Sequence, residues 1–401
     1  MSIETTITRA WQRKAAWLWL LLPLSWLYGL LVWLRRQAYK LGVLTSFRAL
    51  VPVMVIGNVT VGGSGKTPLI ITLVSYLQKQ GIKVGVISRG YGGDTSQMPA
   101  LVTKESLPST VGDEPCLIVN TTAAPMAVCP NRKQAITTLL NAHPDLQLII
   151  ADDGLQHYAL QRDIEWIVVD VARGFGNEQL LPTGFLREPI ARLKNATVIY
   201  HEKPVALPSF SHKVFNNETF SNKTSNEISA QRLTMQLQPD ELYPLLSDDE
   251  LVELNVSNIT IPLSAKVVPL QGDKVHAISG IGYPQRFFAT LSTLGFDVIG
   301  HPYPDHHNFS LSELLQYTEH PMIVTTKDAV KIRTVLLTEL SKINAIKSNE
   351  SIGSHSGNDI SVLVNRLWVL PVTAQLSDTC YQTLQQQLNA HDINMATSSH
   401  S

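Results

Sequence analysis

The chain has 401 residues, a length that suits two domains of ordinary size, each with its own core. Hydrophobic residues make up 44% of the sequence and charged residues only 16%, which indicates a globular rather than a disordered protein. The formal net charge of −1 argues against a protein that binds nucleic acids by neutralising their phosphates.

An apolar segment lies near the start of the chain, at residues 15–34 (AAWLWLLLPLSWLYGLLVWL), without a formal charge. As a helix it would extend about 30 Å, the hydrocarbon thickness of a bilayer. A cleaved signal peptide is disfavoured because no A-x-A-like site follows, and a soluble core seldom needs so long an apolar run. We predict a membrane anchor within a region at 1–48. Pro23, Ser25 and Gly29 leave open whether it spans the bilayer or lies on its surface.

Short apolar runs alternate with helical patterns beyond residue 50. Buried strands are predicted at 53–56, 84–87, 126–128, 148–151, 167–169, 275–278, 322–326 and 367–370, and helices at 68–80, 132–143 and 284–294. Such alternation predicts parallel sheets with helices on both faces. The polar stretches at 209–232 and 348–359 predict a linker and a disordered loop. The predicted domains are therefore 49–205, a linker region 206–270, a smaller α/β domain 271–392 and a disordered tail 393–401.

A glycine-rich loop joins the first predicted strand to the first helix, in the sequence VMVIGNVTVGGSGKT. Its glycines allow a tight turn that aims backbone N–H groups at phosphates, next to the positive end of the helix. The lysine supplies a charge for the β- and γ-phosphates, and the last hydroxyl can join a magnesium ion. The order of strand, loop and helix favours a P-loop NTPase-like domain over a glycine-rich turn without ligand. The predicted nucleotide-binding residues are Thr60, Val61, Gly62, Gly63, Ser64, Gly65, Lys66 and Thr67.

Polar residues follow several predicted strands, at the sheet edge where open α/β sheets bind ligands. Asp152 and Asp153 end the strand 148–151, and one of them could hold magnesium, although an Asp-Asp-Gly turn without function stays open. Further candidates are Arg89 in SRGYGG, the acidic pair of a loop at 111–115, Arg132 at a helix start, and the loop at 183–189. The run Asp305-His306-His307 is the strongest candidate for proton chemistry, and zinc is disfavoured there for want of a third ligand.

Together these segments resemble the tetraacyldisaccharide 4′-kinase family, whose members phosphorylate the lipid A precursor of Gram-negative bacteria. The resemblance is carried by GNVTVGGSGKTP, SRGYGG, VGDEP, Asn131-Arg132, DDGLQH, LLPTGFLREP, SGIGYPQRFF, PDHHNF and TTKDAVKI. It implies ATP and Mg²⁺ as cofactors and the 4′-hydroxyl of a tetraacyldisaccharide 1-phosphate as acceptor, giving lipid IVA. It also implies a P-loop domain and a smaller α/β domain around a cleft, beside a membrane-associated N-terminal helix.

The resemblance implies roles for individual residues. Asp113 and His306 would form the dyad that activates the sugar hydroxyl, with Lys66 and Asp153 as further catalytic groups. Arg132 and Gln156 would lie at the nucleotide. The implied metal ligands are Thr67, Asp152 and Glu188.

Location and partners follow from the same chemistry. Because ATP is cytoplasmic and a four-chain lipid leaves a bilayer only at high cost, we predict a bacterial inner-membrane protein with its catalytic domains in the cytoplasm. The three cysteines, which form no C-x-x-C pair, agree with a reducing compartment. No obligatory protein partner is predicted. Two alternatives stay open: a membrane-associated P-loop ATPase that acts as a partner-binding switch, and a soluble small-molecule kinase with a buried N-terminal hairpin.

Overall fold

The computed structural model describes residues 7, 10–11, 13, 15–202, 232–247, 250, 267–317, 319–347, 360 and 362–394. The predicted loop at 348–359, the tail from residue 395 and the predicted linker at 209–232 lie outside the described residues, except for Arg232 at the end of the linker. Ile393, predicted as part of the tail, is buried in the core of the large sheet.

The described chain is an α/β protein. Its strands are β1 (Val53–Gly57), β2 (Val84–Ser88), β3 (Ala100–Val102), β4 (Met126–Val128), β5 (Leu148–Asp152), β6 (Ile164–Asp170), β7 (Thr197–Glu202), β8 (Leu233–Pro239), β9 (Tyr243–Pro244), β10 (Lys274–Ser279), β11 (Asp297–Pro302), β12 (Met322–Thr325), β13 (Leu367–Leu370) and β14 (Val372–Leu376). Its α-helices are α1 (Leu22–Lys40), α2 (Lys66–Lys79), α3 (Pro108–Val111), α4 (Asp113–Thr122), α5 (Arg132–Ala142), α6 (Pro284–Thr293), α7 (Leu311–Leu314), α8 (Thr326–Lys347) and α9 (Asp378–Asn389). Short 3₁₀ turns occupy Ala16–Leu21, Thr95–Gln97 and Ile190–Asn195.

The large sheet has nine strands in the order β14-β8-β7-β6-β1-β5-β2-β4-β3. All neighbours are parallel except the two edge pairs, β14 with β8 and β3 with β4. The central strands are buried along their whole length, as expected of strands covered by helices on both faces. In the register of the sheet, Ile56 lies opposite Asp152 and Gly57 opposite Ile167. The carboxyl ends of β1, β5 and β6 therefore lie together at one edge.

The second sheet has five strands in the order β11-β10-β12-β13-β9, parallel except for β9. Two strands that lie outside the predicted P-loop domain at 49–205 belong to the large sheet. β8, from the predicted linker, and β14, from the predicted C-terminal domain, pair with each other and complete the large sheet. Their polar, half-buried sequences carry little of the apolar pattern that marked the central strands.

The N-terminal apolar segment is helical, as a 3₁₀ turn followed by α1. The combined helix, Ala16–Lys40, is long and apolar enough to cross a membrane by length and composition. Only 11% of its most apolar stretch is buried within the protein, which is unlike a core helix. Ser25 attaches it to the body, since its Oγ donates to the carbonyl of Leu180 at 3.0 Å and lies 2.8 Å from Thr183 Oγ1. The exposed large side chains of the helical segment are Trp17, Trp19, Leu20, Leu24, Trp26, Leu27, Leu30, Leu31, Trp33 and Leu34.

Two local predictions need correction. The acidic pair that was predicted in a loop at 111–115 instead begins a helix, because Asp113 and Glu114 are the first residues of α4. Pro115 is tolerated there, since the first turn of a helix has backbone N–H groups without intrahelical partners. Thr326, predicted as the end of a strand, is the first residue of α8.

Candidate active site between the two sheets

The glycine-rich loop passes from β1 into α2 through two left-handed residues, Gly62 and Gly65, with φ of 92° and 93°. A Cβ on Gly65 would lie 2.7 Å from Met235 Cε and 3.1 Å from His201 Nδ1, and the positive φ strains any residue other than glycine there. A Cβ on Gly63 would meet no atom within 4 Å. The loop is therefore packed beneath Gly65, and Gly282, which follows β10, lies against its backbone, since a Cβ on Gly282 would be 3.0 Å from the nitrogen of Gly63.

The ammonium group of Lys66 is held at the start of α2. Its Nζ lies 3.1 Å from Asn58 Oδ1 and 3.3 Å from Asp153 Oδ1, while Arg187 donates to the other oxygen of Asp153 at 2.8 Å. Burial acts to raise the pKa of Asp153, but the charges of Lys66 and Arg187 outweigh it and hold the pKa well below its usual range. The carboxylate is thus ionised between two cations. Thr67 lies in the same first turn, beside Lys66.

Asp152 lies at the end of β5 and is the better candidate for a metal ligand. Its Oδ2 accepts a hydrogen bond from Ser88 at 3.1 Å, and Oδ1 is buried without a hydrogen-bond partner among the described residues. Burial, followed by the charges of Glu114 and Asp153, raises its pKa above the usual range. A buried carboxylate with an open oxygen and two acidic neighbours fits a divalent cation, which would offset the repulsion.

Glu188, the other predicted acidic ligand, is fully buried and already has partners. Its oxygens accept from Gln156 Nε2 at 3.0 Å and from the hydroxyl of Tyr158 at 2.7 Å, and Arg192 lies 3.4 Å away. No group of three or more His, Cys, Asp or Glu in the described ranges could hold a metal ion. Magnesium commonly takes one or two carboxylates with phosphates and water, so the single open oxygen of Asp152 suits a metal held jointly with a nucleotide.

Asp113 and His306 are brought together across the gap between the sheets. Nδ1 of His306 lies 3.2 and 3.0 Å from the two carboxylate oxygens of Asp113. Lys331, on α8, lies 3.4 Å from the same carboxylate. Burial acts to raise the pKa of Asp113, but the hydrogen bond with His306 and the charges of Lys327, His306 and Lys331 outweigh it and lower the pKa well below its usual range. The pair predicted from sequence is therefore assembled, with an ionised carboxylate.

Two lysines of α8 were not predicted as site residues. Lys327 Nζ lies 2.9 Å from Glu114, 3.3 Å from Asp305 and 3.2 Å from Nε2 of His306. Burial acts to lower the pKa of Lys327, but the charges of Glu114, Asp305 and Asp113 outweigh burial and raise the pKa above its usual value. The ammonium group therefore stays charged. The sequence KDAVKI could have predicted that Lys327 and Lys331 point to the same site, because residues four apart share one face of a helix.

A second link between the sheets was also missed. Arg286, on α6, forms an ion pair with Asp170 at the end of β6, and its Nη1 lies 3.3 Å from His201 Nδ1. The same ring nitrogen lies 3.1 Å from the backbone oxygen of Ser64 in the glycine-rich loop. Burial, followed by the charge of Arg286, lowers the pKa of His201 to about 4. His201 is therefore neutral near pH 7 and connects the second sheet's helix to the loop.

Arg132, predicted to bind phosphate, begins α5 as expected but is buried. Its guanidinium donates to the carbonyl oxygens of Cys129 at 2.9 Å and of Asp152 at 3.2 Å. In this arrangement it supports the backbone beneath Asp152, and only its Nε lacks a partner among the described residues. Its role at phosphate stays a prediction.

The sequence matches the family described as Tetraacyldisaccharide-1-P 4′-kinase over residues 17–389. The chain belongs to this family. A protein named tetraacyldisaccharide 4′-kinase from Psychrobacter cryohalolentis is 64% identical over 396 residues, 99% of this chain and 99% of the relative. Relatives of the same name from Psychrobacter arcticus and Methylobacillus flagellatus are 64% identical over 100% of this chain and 40% identical over 82% of it, covering 99% and 88% of their own lengths. The family resemblance inferred from the motifs is confirmed.

The fold class is confirmed by a solved structure of the same family. The crystal structure of an "apo" form of LpxK from Aquifex aeolicus in complex with ATP superposes with a TM-score of 0.59 at 22% identity. It covers 92% of this chain and 98% of the neighbour. At that identity the likeness shows a common arrangement of strands and helices.

Proposed function

We propose that the protein transfers the γ-phosphate of ATP to the 4′-hydroxyl of a tetraacyldisaccharide 1-phosphate, at the cytoplasmic face of a bacterial inner membrane. Family membership supports the reaction, because relatives 64% identical over nearly the whole chain are named for it. The observation that carries the proposal is the pair of Asp113 and His306, which meets across the gap between the sheets. The pair lies near the glycine-rich loop, because a Cβ on Gly282 would be 3.0 Å from the nitrogen of Gly63 and 3.2 Å from Oδ2 of Asp305, the residue before His306.

The nucleotide would bind at the glycine-rich loop. The glycine-rich loop and the start of α2 would present backbone N–H groups, and Lys66 adds a positive charge for the phosphates. Magnesium, when bound, would be held by Asp152 and Thr67 and would neutralise charge on the β- and γ-phosphates. Asp153 keeps Lys66 and Arg187 in place until a phosphate replaces it as their partner.

The acceptor hydroxyl would be activated by Asp113. Phosphoryl transfer depends mainly on positioning and on the stabilisation of charge, so a carboxylate that orients the hydroxyl and accepts its proton suffices. His306 fixes the orientation of that carboxylate through Nδ1, and it lies within reach to share the proton. Lys331 and Lys327 keep the group ionised in a buried place.

The N-terminal helix would bring the enzyme to its acceptor. Four acyl chains keep the lipid in the bilayer, at about 0.8 kcal/mol for each buried CH₂ group, so the active site has to reach the membrane surface. The exposed tryptophan and leucine side chains of the helix supply an apolar surface of that kind. The hydroxyl of Tyr28 donates to the backbone oxygen of Arg187, which ties the helix to the loop beside Lys66 and Asp153.

The alternative of a P-loop switch accounts for fewer of these contacts. A nucleotide-dependent switch needs no base for a sugar hydroxyl, whereas His306 comes from the second sheet and completes a dyad with Asp113. A buried N-terminal hairpin is likewise disfavoured, because the helix exposes most of its apolar side chains.

The test is transfer of labelled phosphate from ATP to a tetraacyldisaccharide 1-phosphate in detergent micelles. We expect a bisphosphorylated lipid from the wild type and a kcat lowered about a thousandfold in Asp113→Asn, which keeps the side-chain shape but loses the base. Asp145→Asn is the control, since Asp145 is exposed and pairs with Lys83 on the surface. Hydrolysis of ATP without a labelled lipid would contradict the proposed reaction.

A further inference from the structure

A pocket of about 260 Å³ lies beside the end of α1, away from the glycine-rich loop. The helix lines one side of it with Arg36, Tyr39 and Lys40. Arg36 is half-buried and Lys40 is exposed. Within the described part of the chain, neither of these two cations forms an ion pair, so their charges are available to a ligand.

The opposite wall of the pocket is rigid and cationic. Arg162 pairs with Glu165 at 3.1 Å and donates to the backbone oxygen of Leu155 at 2.9 Å. Arg192 contacts the same glutamate at 2.5 Å. Their side chains are only 15% and 11% exposed, which shows that both guanidinium groups are held by the body of the protein. The single carboxylate in the pocket is thus already shared between two arginines.

The charge of the pocket selects for an anion. Four cations, Arg36, Lys40, Arg162 and Arg192, line the pocket with one carboxylate, Glu165. Arg192 also pairs with the buried Glu188 at 3.4 Å, so the formal charge of the cluster is +2. Both terminal nitrogens of Arg162 already donate to backbone oxygens, so Arg36 is the guanidinium group that could bind phosphate oxygens in a forked geometry. Lys40 adds a point charge. The volume is below the range of about 300–1,000 Å³ for sites that enclose drug-sized ligands, and it suits a phosphate with a small substituent better than a disaccharide.

The position of the pocket points to a lipid headgroup. Arg36 and Lys40 follow directly on the exposed apolar part of α1, whose last large side chains are Trp33 and Leu34. If that part enters a bilayer, the pocket lies at the level of the phosphates. Tyr28, which contacts the loop beside Lys66, precedes Tyr39 by about 16 Å along the helix axis, so the pocket opens farther along the helix than that loop. The two sites share a wall, because Tyr158 and Arg192 of the pocket contact Glu188.

We propose that this pocket binds the phosphate of an anionic phospholipid at the membrane surface, and so fixes the depth and orientation of the enzyme on the bilayer. The proposal rests on the membrane association in the proposed function, but it does not depend on catalysis. A matched control exists one residue away. Arg35 carries the same charge at the same depth of α1, is exposed, and does not line the pocket.

The experiment is flotation of the full-length wild type, Arg36→Gln and Arg35→Gln with vesicles of phosphatidylcholine alone or mixed with phosphatidylglycerol. We expect tighter binding to the mixed vesicles, a loss of more than about tenfold in Arg36→Gln, and a loss of about fivefold or less in Arg35→Gln, the effect of one surface charge. Binding to neutral vesicles should be equal in all three proteins. Equal losses in the two variants, or none in either, would overturn the pocket proposal.

A second arm separates the phospholipid from the phosphate of the acceptor. In neutral detergent micelles without phospholipid, Arg36→Gln should keep the wild-type KM for the disaccharide 1-phosphate within about twofold. A KM raised several-fold with unchanged vesicle binding would assign the pocket to the acceptor and overturn the proposal. Failure of the wild type to bind either vesicle would overturn both this proposal and the membrane association. Absence of phosphate transfer in micelles would count against the proposed reaction alone.

Discussion

The two walls of the active site hold their charges in different ways. On the wall of the large sheet, Lys66 and Arg187 pair with Asp153, so two cations share one carboxylate at one sheet edge. The cations on the wall of the second sheet instead pair with carboxylates on the opposite wall. Lys331 pairs with Asp113, and the ion pair of Lys327 with Glu114 crosses the same gap. The first wall is therefore nearly complete by itself, whereas the dyad exists only where the two walls meet.

The largest effect should come from the self-contained wall. Lys66→Ala removes the charge that the loop holds for the phosphates, and we expect kcat to fall a thousandfold or more, with weaker nucleotide binding. Measurement of turnover and of nucleotide affinity by calorimetry would check this. Lys79→Ala, at the exposed far end of the same helix, should leave both quantities unchanged. Activity near wild type in Lys66→Ala would show that the phosphates bind elsewhere.

The difference between the walls also explains what could be predicted from the sequence. The strand, loop and helix around Lys66 are contiguous, so local apolar pattern and glycine spacing were enough to place Lys66 and Asp152. The pairing of Arg286 with Asp170 depends on how two sheets pack, which no local pattern encodes. The start of α4 was missed because Asp-Glu-Pro is typical of a turn, although proline also fits a first helical turn.

Edge strands were missed for a related reason. β8 and β14 contain alternating polar residues such as Gln236 and Gln238, and only one face of each is covered. A strand with so few apolar residues resembles a loop when its partner is unknown. β8 and β14 lie more than a hundred residues apart in sequence, so their pairing became visible only in the folded chain.

A smaller effect is expected from the ion pair of Arg286 and Asp170, which links the two walls. Arg286→Gln and Asp170→Asn should each lower kcat/KM for ATP about tenfold, and the double variant should be little worse than either, with a coupling energy of about 1–3 kcal/mol. Asparagine keeps the oxygen that accepts from the backbone of Ala172. Additive losses would mean that the two residues act independently.

The control for that double-mutant cycle is an exposed ion pair within the second sheet. Lys274 and Asp297 lie 3.7 Å apart, with side chains 50% and 65% exposed. Exposed pairs contribute little because water screens them, so their coupling energy should be near zero.

The last expected effect concerns stability rather than turnover, and it is a dependence on pH that originates at His201. Burial and the charge of Arg286 lower its pKa to about 4, while Asp170 and the backbone oxygen of Ser64 act in the opposite direction. Between its ordinary pKa of 6.5 and about 4 the unfolded chain binds a proton that the folded chain does not, so stability falls as the pH decreases through that interval and levels off below it. The contribution should be on the order of 3 kcal/mol.

Denaturant titrations of the detergent-solubilised protein between pH 7.5 and 4 would measure the contribution of His201 to the free energy of unfolding. His201→Asn keeps a donor for the carbonyl of Ser64 but has no proton to gain, so its stability should fall less steeply over the interval. In Arg286→Gln the folded-state pKa of His201 should rise towards 6.5, because the guanidinium charge that lowers it is gone. Stability should then depend on pH over a narrower range, whose lower limit lies above pH 4. If the wild type and His201→Asn lost stability in parallel, the acid sensitivity would have to come from other groups, such as His157, whose pKa burial also lowers. If the profile of stability against pH shifts in Arg286→Gln, the charge of Arg286 on the second wall sets the protonation state of His201. His201 lies beneath the glycine-rich loop of the first wall.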